Sequence, residues 1–430
     1  MIKNLVIVFA TMFSLQMVAQ QGTSSPYSFY GLGELKFRGT VENRAMGGIS
    51  VFSDSIHLNL QNPAGLGKLR LTTFSVGGNQ NFNMLKTNTE EANSASTSLD
   101  YLAVGLPMKN MAVSFGLMPY SSVGYKTGFT NPFTAEAGSK RFEGSGGVSK
   151  VFLAAGYNIT KSLSVGADIN YNFGKIEQEA FEIIEADIDP YDAREYNKSR
   201  LSGLSLKFGM AYQKMLNDKL QLMTGVTYSP EMSLKSENQQ LLSSVTWSPS
   251  TGLPSYRDTE VVDLGNDAET TYKLPSIFSA GVAISQPKKW MLGIDIAQIG
   301  SNDFPATRFR VPVTISSNVN ASYTNGSKYA IGGFYIPKYN SLTSYWKRVV
   351  YRAGARFEKT GLVVKGKDIE EFGMSFGVGL PVGKMFSNAN LMIEYGSRGT
   401  KDKDIVRENF INVGVSLSFN DKWFQRRKID

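Results

Sequence analysis

The chain has 430 residues, a formal charge of +8, one histidine (His57) and no cysteine. Disulfides, thiolate metal sites, a lipoprotein anchor on a mature cysteine and any multi-histidine metal centre are therefore excluded. Slightly negative mean hydropathy with abundant Gly, Ser, Asn and aromatics argues against helical membrane spans and for many alternating strands joined by polar turns.

The chain opens with a targeting segment. Lys3 precedes an apolar run from Leu5 to Leu15, and Met17-Val-Ala19 ends on a small residue. Residues 1–19 read as a signal peptide cleaved after Ala19, since the run is short for a membrane span. Residues 20–68 are compact and weakly hydrophobic. They carry Arg44-Ala-Met-Gly-Gly48 and Asn62-Pro-Ala-Gly-Leu66, two turn-forming strings set ahead of the first strand. Pro63 fixes its own φ and pushes Asn62 away from helix, and the glycines permit positive φ.

From residue 69 to 419 the pattern is period two. Ile169, Tyr171 and Phe173 alternate with Asp168, Asn170 and Asn172. Phe372, Met374 and Phe376 alternate with Gly373, Ser375 and Gly377. Fourteen strands are predicted, at 69–80, 97–107, 111–122, 146–158, 162–174, 200–213, 219–232, 272–285, 289–300, 327–337, 347–358, 371–381, 388–398 and 409–419. Short turns at 108–110, 159–161, 214–218, 286–288 and 382–387 alternate with longer connections at 81–96, 123–145, 175–199, 233–271 and 301–326. The region 301–337 is the least regular, where Arg308-Phe-Arg-Val-Pro-Val313 offers a further strand pair. Signal peptide, strand length and turn alternation together predict an all-β fold: a transmembrane antiparallel β-barrel of about 14 strands in the bacterial outer membrane, in contact with its lipid. The last strand closes at Phe419, and Trp423-Phe424 follow as an assembly signal or an interfacial contact. Residues 420–430 form a basic periplasmic tail containing Arg426-Arg-Lys428. Basic residues otherwise look scattered, and no basic stripe interleaved with aromatics points to nucleic acid.

Met46-Gly-Gly48 followed by Asn62-Pro-Ala-Gly-Leu66 resembles the N-terminal segment of the FadL (OmpP1/FadL/TodX) family, outer-membrane transporters of long-chain fatty acids and aromatic hydrocarbons. Leu274-Pro275, Trp290-Met-Leu-Gly-Ile-Asp295, Tyr329-Ala-Ile-Gly-Gly-Phe-Tyr-Ile-Pro337 and Phe376-Gly-Val-Gly-Leu-Pro381 extend the likeness along the mature chain. The Gln-Gln mature start and Tyr-Ile-Pro are typical of Bacteroidota-like sequences. The resemblance implies that residues 20–68 form a plug inside the lumen, with Met46, Gly47, Gly48, Asn62, Pro63, Ala64 and Gly65 as its motif. It also implies a route for apolar ligands from the lumen sideways through a kinked third strand.

Pro119 stands in that strand. It either marks the opening, since proline removes a ladder hydrogen bond, or ends the strand. Asp168, Lys207, Asp295, Arg352, Arg356 and Glu394 are inward charges. Arg352 and Arg356 clamp a carboxylate head group on one reading, and join lumen salt bridges on the favoured one. Residues 175–199 read as an acidic outer loop, with Glu177, Glu179, Glu182, Glu185, Asp187, Asp189, Asp192 and Glu195. That loop departs from the apolar loops of a transporter and lacks the glycine and terminal glutamate of a calcium loop. His57 has no nucleophile pattern around it and reads as a structural hydrogen-bonding residue.

The expectation is a non-enzymatic barrel with no cofactor or metal. It either takes up hydrophobic small molecules such as long-chain fatty acids by diffusion, or serves as a non-catalytic subunit of an outer-membrane assembly or secretion complex.

Overall fold

The computed structural model describes residues 22–184, 191–301, 321–382 and 387–422. The signal peptide, Arg308-Phe-Arg-Val-Pro-Val and residues 423–430 lie outside the described residues, while Asn420 and Asp421, expected in the tail, still belong to the last strand. The strands in chain order are β1 (Glu34–Leu35), β2 (Thr72–Lys86), β3 (Glu91–Pro107), β4 (Met111–Gly128), β5 (Lys140–Asn158), β6 (Leu163–Glu182), β7 (Asp192–Met215), β8 (Gln221–Ser229), β9 (Met232–Trp247), β10 (Pro254–Val261), β11 (Glu269–Leu274), β12 (Ile277–Gln286), β13 (Trp290–Ile299), β14 (Ala321–Tyr323), β15 (Gly326–Tyr335), β16 (Val350–Val364), β17 (Lys367–Val382), β18 (Ser387–Arg398) and β19 (Arg407–Asp421).

Fourteen of these form the wall, in the antiparallel order β2 to β8, then β12, β13 and β15 to β19. The last ladder, from Arg407↔Lys86 to Asp421↔Thr72, closes the sheet on itself and leaves no edge there. On β6, Ile169, Tyr171 and Phe173 are exposed while Asp168, Asn170 and Asn172 are buried; on β18, Leu391, Ile393 and Tyr395 face out while Asn390 and Glu394 face in. An apolar exterior around a polar interior is the reverse of a soluble sandwich and suits lipid.

The strands run farther than their alternation suggests. The acidic stretch 175–199 is no loop over most of its described length. β6 continues to Glu182 and pairs with the start of β7, Glu182↔Ala193. Its carboxylates are engaged across strands: Arg194 lies 3.0 Å from Glu179, and the Tyr196 hydroxyl donates to Glu177 at 2.8 Å. The expected loop at 233–271 is also sheet. β8 and β9 form one wall strand bent at Pro230-Glu231, β11 and β12 another broken at Pro275-Ser276, and β10 folds back on β9. The connection expected at 81–96 shrinks to a turn at 87–90. A membrane strand needs about ten residues, so the 24-residue β7 leaves more than half its length outside the hydrocarbon layer. Both sides of such an extension meet water, so apolar alternation disappears there.

The turns at 108–110, 159–162, 216–220 and 287–289 lie at the end of the barrel where β2 begins and β19 finishes. The long hairpins lie at the opposite end. Residues 22–71 are packed against the inner wall; Met46, Ile49, Ala64 and Leu66 are among the most buried side chains of the described chain.

Candidate functional site

The two turn strings of the N-terminal segment have prepared seats. Thr40 caps the short helix α1 (Val41–Arg44) by accepting from the Asn43 amide, and the chain then reverses through Gly47 (φ 72°) and Gly48 (φ 84°). The Gly47 amide donates to Ser375 Oγ at 3.0 Å. Gly332, Gly354 and Ser375 are consecutive cross-strand partners on β15, β16 and β17. A Cβ on Gly332 or Gly354 would strike the Met46 or Gly47 backbone. Asn62 organises the second seat. Its Oδ1 accepts from the Ala64 amide at 3.0 Å, and its Nδ2 donates to the Met210 carbonyl at 3.2 Å. The turn Pro63–Lys68 rests on Gly156, Gly166 and Gly209, again successive cross-strand partners on β5, β6 and β7. Each glycine row is a trough that admits a backbone where side chains would refuse it.

Charge ties the segment to the wall on the first of these sides. Arg44 Nε lies 2.8 Å from Glu394, whose other oxygen is 2.7 Å from Arg356 Nε. Arg356 also holds Glu371, and Glu371 holds Arg398. Arg398 reaches Glu34 at 3.0 Å, and Glu34 meets Lys36 at 3.1 Å. The chain of ion pairs thus starts on the N-terminal segment, crosses β16, β17 and β18, and returns to that segment. Asn412 donates to Glu394 at 3.1 Å, and Ser25 to Glu408 at 2.7 Å, which satisfies further lone pairs. Burial alone would raise the Glu34 carboxyl, but Lys36 and Arg398 outweigh it and hold it well below the usual carboxylate range.

Arg352 and Arg356 share a face of β16 but not a site. Gly354 lies between them with Met46 and Gly47 on top of it. Arg356 faces a cavity on one side of that turn, already held by three glutamates. Arg352 sits on the other side and donates to Asn390 Oδ1 at 3.0 Å. Asp168 and Lys207 are 4.0 Å apart, and Asp295 accepts from the Ser50 amide at 3.0 Å. His57 Nδ1 lies 2.7 Å from Asp54 and its ring 6.2 Å from Phe52. Burial opposes a charged imidazole, but the Asp54 carboxylate prevails and raises the His57 pKa.

The cavity is about 320 Å³. Leu32, Leu274 and Ile277 line it together with Lys36, Arg38 and Lys328, so it is neither greasy throughout nor fully polar. Arg38 stacks over Tyr120 at 4.8 Å and Lys328 over Phe37 at 5.3 Å; neither has an ion pair among the described residues.

Beside the cavity the wall parts. The β3–β4 ladder runs only from Pro107↔Ala112 to Leu102↔Leu117. β4 continues to Gly128 along β5, with a register shift between Pro119 and Ser121, and its residues 120–125 turn inward and are buried. Pro119 therefore does not end the strand; it sits just past the point where β4 leaves β3. The bared edge of β4 is taken by the N-terminal segment: Glu34↔Ser122 and Leu35↔Ser121 pair as β1, and the Lys36 amide donates to the Tyr120 carbonyl at 3.0 Å.

From sequence alone Arg356 and Glu394 stand out as inward charges, whereas Glu34, Glu371, Arg398 and Glu408 do not. Their signal was present: Glu371 and Glu394 occupy the polar positions of alternating strands, and Arg398 follows Glu394 on the same face. Among the described residues, no group of three or more His, Cys, Asp or Glu is placed to hold a metal.

A family model described as BamG matches residues 1–430. No curated protein matches the sequence. Among solved structures, the chain is similar to the Ralstonia pickettii toluene transporter TbuX (TM-score 0.58, 14% identity, 89% of this chain and 99% of that one). It is likewise similar to the Pseudomonas putida toluene transporter TodX (0.56, 16%, 91% and 100%) and to a Pseudomonas aeruginosa FadL homologue (0.54, 12%, 90% and 98%). At such identities the likeness carries the FadL/TodX-type barrel fold.

Proposed function

Because the chain belongs to the BamG family over its full length, we propose a role that its interior supports better than solute passage. It is a non-enzymatic barrel of the bacterial outer membrane that serves as a non-catalytic subunit of a protein assembly or secretion machine. The observation that carries this reading is the ion-pair chain from Arg44 to Lys36, which ties residues 34–44 to β16, β17 and β18. Removing one member of a buried pair costs about 3–5 kcal/mol, so the N-terminal segment acts as a fixed plug rather than a gate. The outer hairpins support the same role. β6, β7, β9 and β10 extend as ordered polar sheet, a surface suited to a protein rather than to a greasy solute.

The test is purification of the tagged chain from native membrane. Co-purification with an outer-membrane assembly or secretion barrel is the expected result; isolation as a lone monomer overturns the reading.

A second reading is passive uptake of hydrophobic small molecules, with long-chain fatty acids as the finer version. One observation favours it: the mixed cavity adjoins the parted β3–β4 seam at Pro119. On this reading Arg38 and Lys328, rather than the engaged Arg352 and Arg356, meet a carboxylate head. Leu35→Cys with Ser121→Cys would staple β1 to β4, since antiparallel partners bring Cβ atoms to about 5 Å. Uptake through the seam is then lost on oxidation and restored by reductant, whereas a subunit role is indifferent to the staple.

A further inference from the structure

The barrel's turn end carries a ring of unpaired positive charge. Lys109 stands on the first turn, Lys161 on the second, Lys219 on the third with Lys214 at the end of the strand leading into it, and Lys288 and Lys289 on the fourth. Lys338, Lys347 and Arg348 stand on the fifth connection, and Arg70 and Lys422 flank the first and last strands. Exposed acids at this end are Asp218 and Asp421 alone among the described residues. None of the eleven cations has an ion pair among the described residues; at the hairpin end Lys198, Arg200, Lys401 and Arg407 also lack one, but Lys86, Lys126, Lys235 and Lys367 are matched by carboxylates and exposed acids are numerous. Among the described residues, eleven cations against two exposed acids thus collect at this end.

A second feature coincides with the first. The same turns expose apolar side chains: Met108, Ile159, Leu216, Leu342 and Trp346, with Leu342 wholly exposed. Tyr345 and Trp346 pack edge to face at 6.0 Å, and the Tyr345 hydroxyl donates to the Pro381 carbonyl at 3.1 Å, which holds that pair at the rim. Aromatic and aliphatic groups beside basic ones, at the border of a lipid-facing belt, match a headgroup region.

We propose that this rim binds anionic phospholipid headgroups of the periplasmic leaflet through the cations and exposed apolar residues of its turns. The distribution decides between occupants. A docked protein needs a patch on one arc; here every described turn contributes a cation, so the partner surrounds the barrel as a leaflet does. The inference rests on the outer-membrane placement proposed above but not on the subunit role.

The experiment is native mass spectrometry of the full chain from nanodiscs made of equal phosphatidylcholine and phosphatidylglycerol. Wild type is expected to retain phosphatidylglycerol about tenfold over phosphatidylcholine, as several charges near an anionic surface allow. The excess shrinks as ionic strength rises. A variant with Lys288→Gln, Lys289→Gln, Lys347→Gln and Arg348→Gln loses most of that preference, while Leu342→Ser with Trp346→Ser lowers retention of both lipids alike. Equal retention of the two lipids by wild type overturns the proposal. So does an unchanged preference in the charge variant, or an acidic soluble protein that occupies the rim and displaces the lipid. A failed pull-down of an assembly partner leaves these readouts untouched, so the two proposals fail separately.

Discussion

Along β16 to β18 the N-terminal segment is gripped by a glycine trough under Met46-Gly47 and by guanidinium–carboxylate pairs from Arg44 through to Glu34. At the β3–β4 seam the same segment meets β4 through β1, the Lys36 amide on the Tyr120 carbonyl and the Gly124 amide on Ser28 Oγ, backed by Arg38 over Tyr120 and by Phe29 and Leu32 against Tyr120, Val123 and Tyr125. One side is an anchor of buried charge and the other a strip of main-chain pairing backed by apolar and aromatic packing. Movement of the segment away from β16 must break charges in a low-dielectric interior, whereas parting it from β4 breaks only neutral main-chain bonds worth about 1 kcal/mol each, apolar packing around Leu32 and the Arg38–Tyr120 contact. If any part of the wall opens, it is the seam, and the anchor stays.

Four substitutions break or sharpen that contrast. The largest effect is expected for Glu394→Ala, which strands Arg44 and takes one of its three carboxylates from Arg356. It destabilises the anchored segment by about 3–5 kcal/mol, seen as a steep loss of amide protection in residues 40–50 with little change at β1. Next comes Gly354→Ala. The added methyl meets Met46 and Gly47, and overpacking of this kind costs about 1–3 kcal/mol; a lower Tm checks it. Asn62→Ala removes the cap of the second turn for about 1 kcal/mol, read as faster exchange at Ala64.

The smallest effect is that of pH on the Asp54–His57 pair. The raised His57 pKa means its contribution is full below the unfolded value near 6.5 and is lost as pH rises through the folded value. The lowered Asp54 pKa sets the acid limit, with that part lost as pH falls through the folded value. His57→Gln should flatten the dependence of Tm on pH on the alkaline side.

The wall was legible because lipid on one face and water on the other force period two. Ile169 to Phe173 and Leu391 to Tyr395 advertise their strands for that reason. The hairpins past the membrane were not, because Glu177, Glu179 and Glu195 sit on strands that lack that lipid-facing alternation. Met46-Gly-Gly48 and Asn62-Pro-Ala-Gly65 were visible as turns, but their seats were not. Gly156, Gly166 and Gly209 are ordinary small residues until adjacent strands bring them into one row. The ion-pair chain was hidden for a related reason: Arg44 and Glu394 are 350 residues apart in sequence. The basic rim was also misread, since lysines spread along the chain become neighbours only when the turns collect at one end.

The central claim is that the interior is a closed support rather than a conduit. Titration of the purified full chain with a long-chain fatty acid, read by native mass spectrometry, tests it most directly. The account predicts no one-to-one complex in wild type, and none in a variant whose cavity is filled by Ala297→Trp. A stoichiometric complex in wild type that disappears in the filled variant would contradict it and return the cavity and its seam to transport.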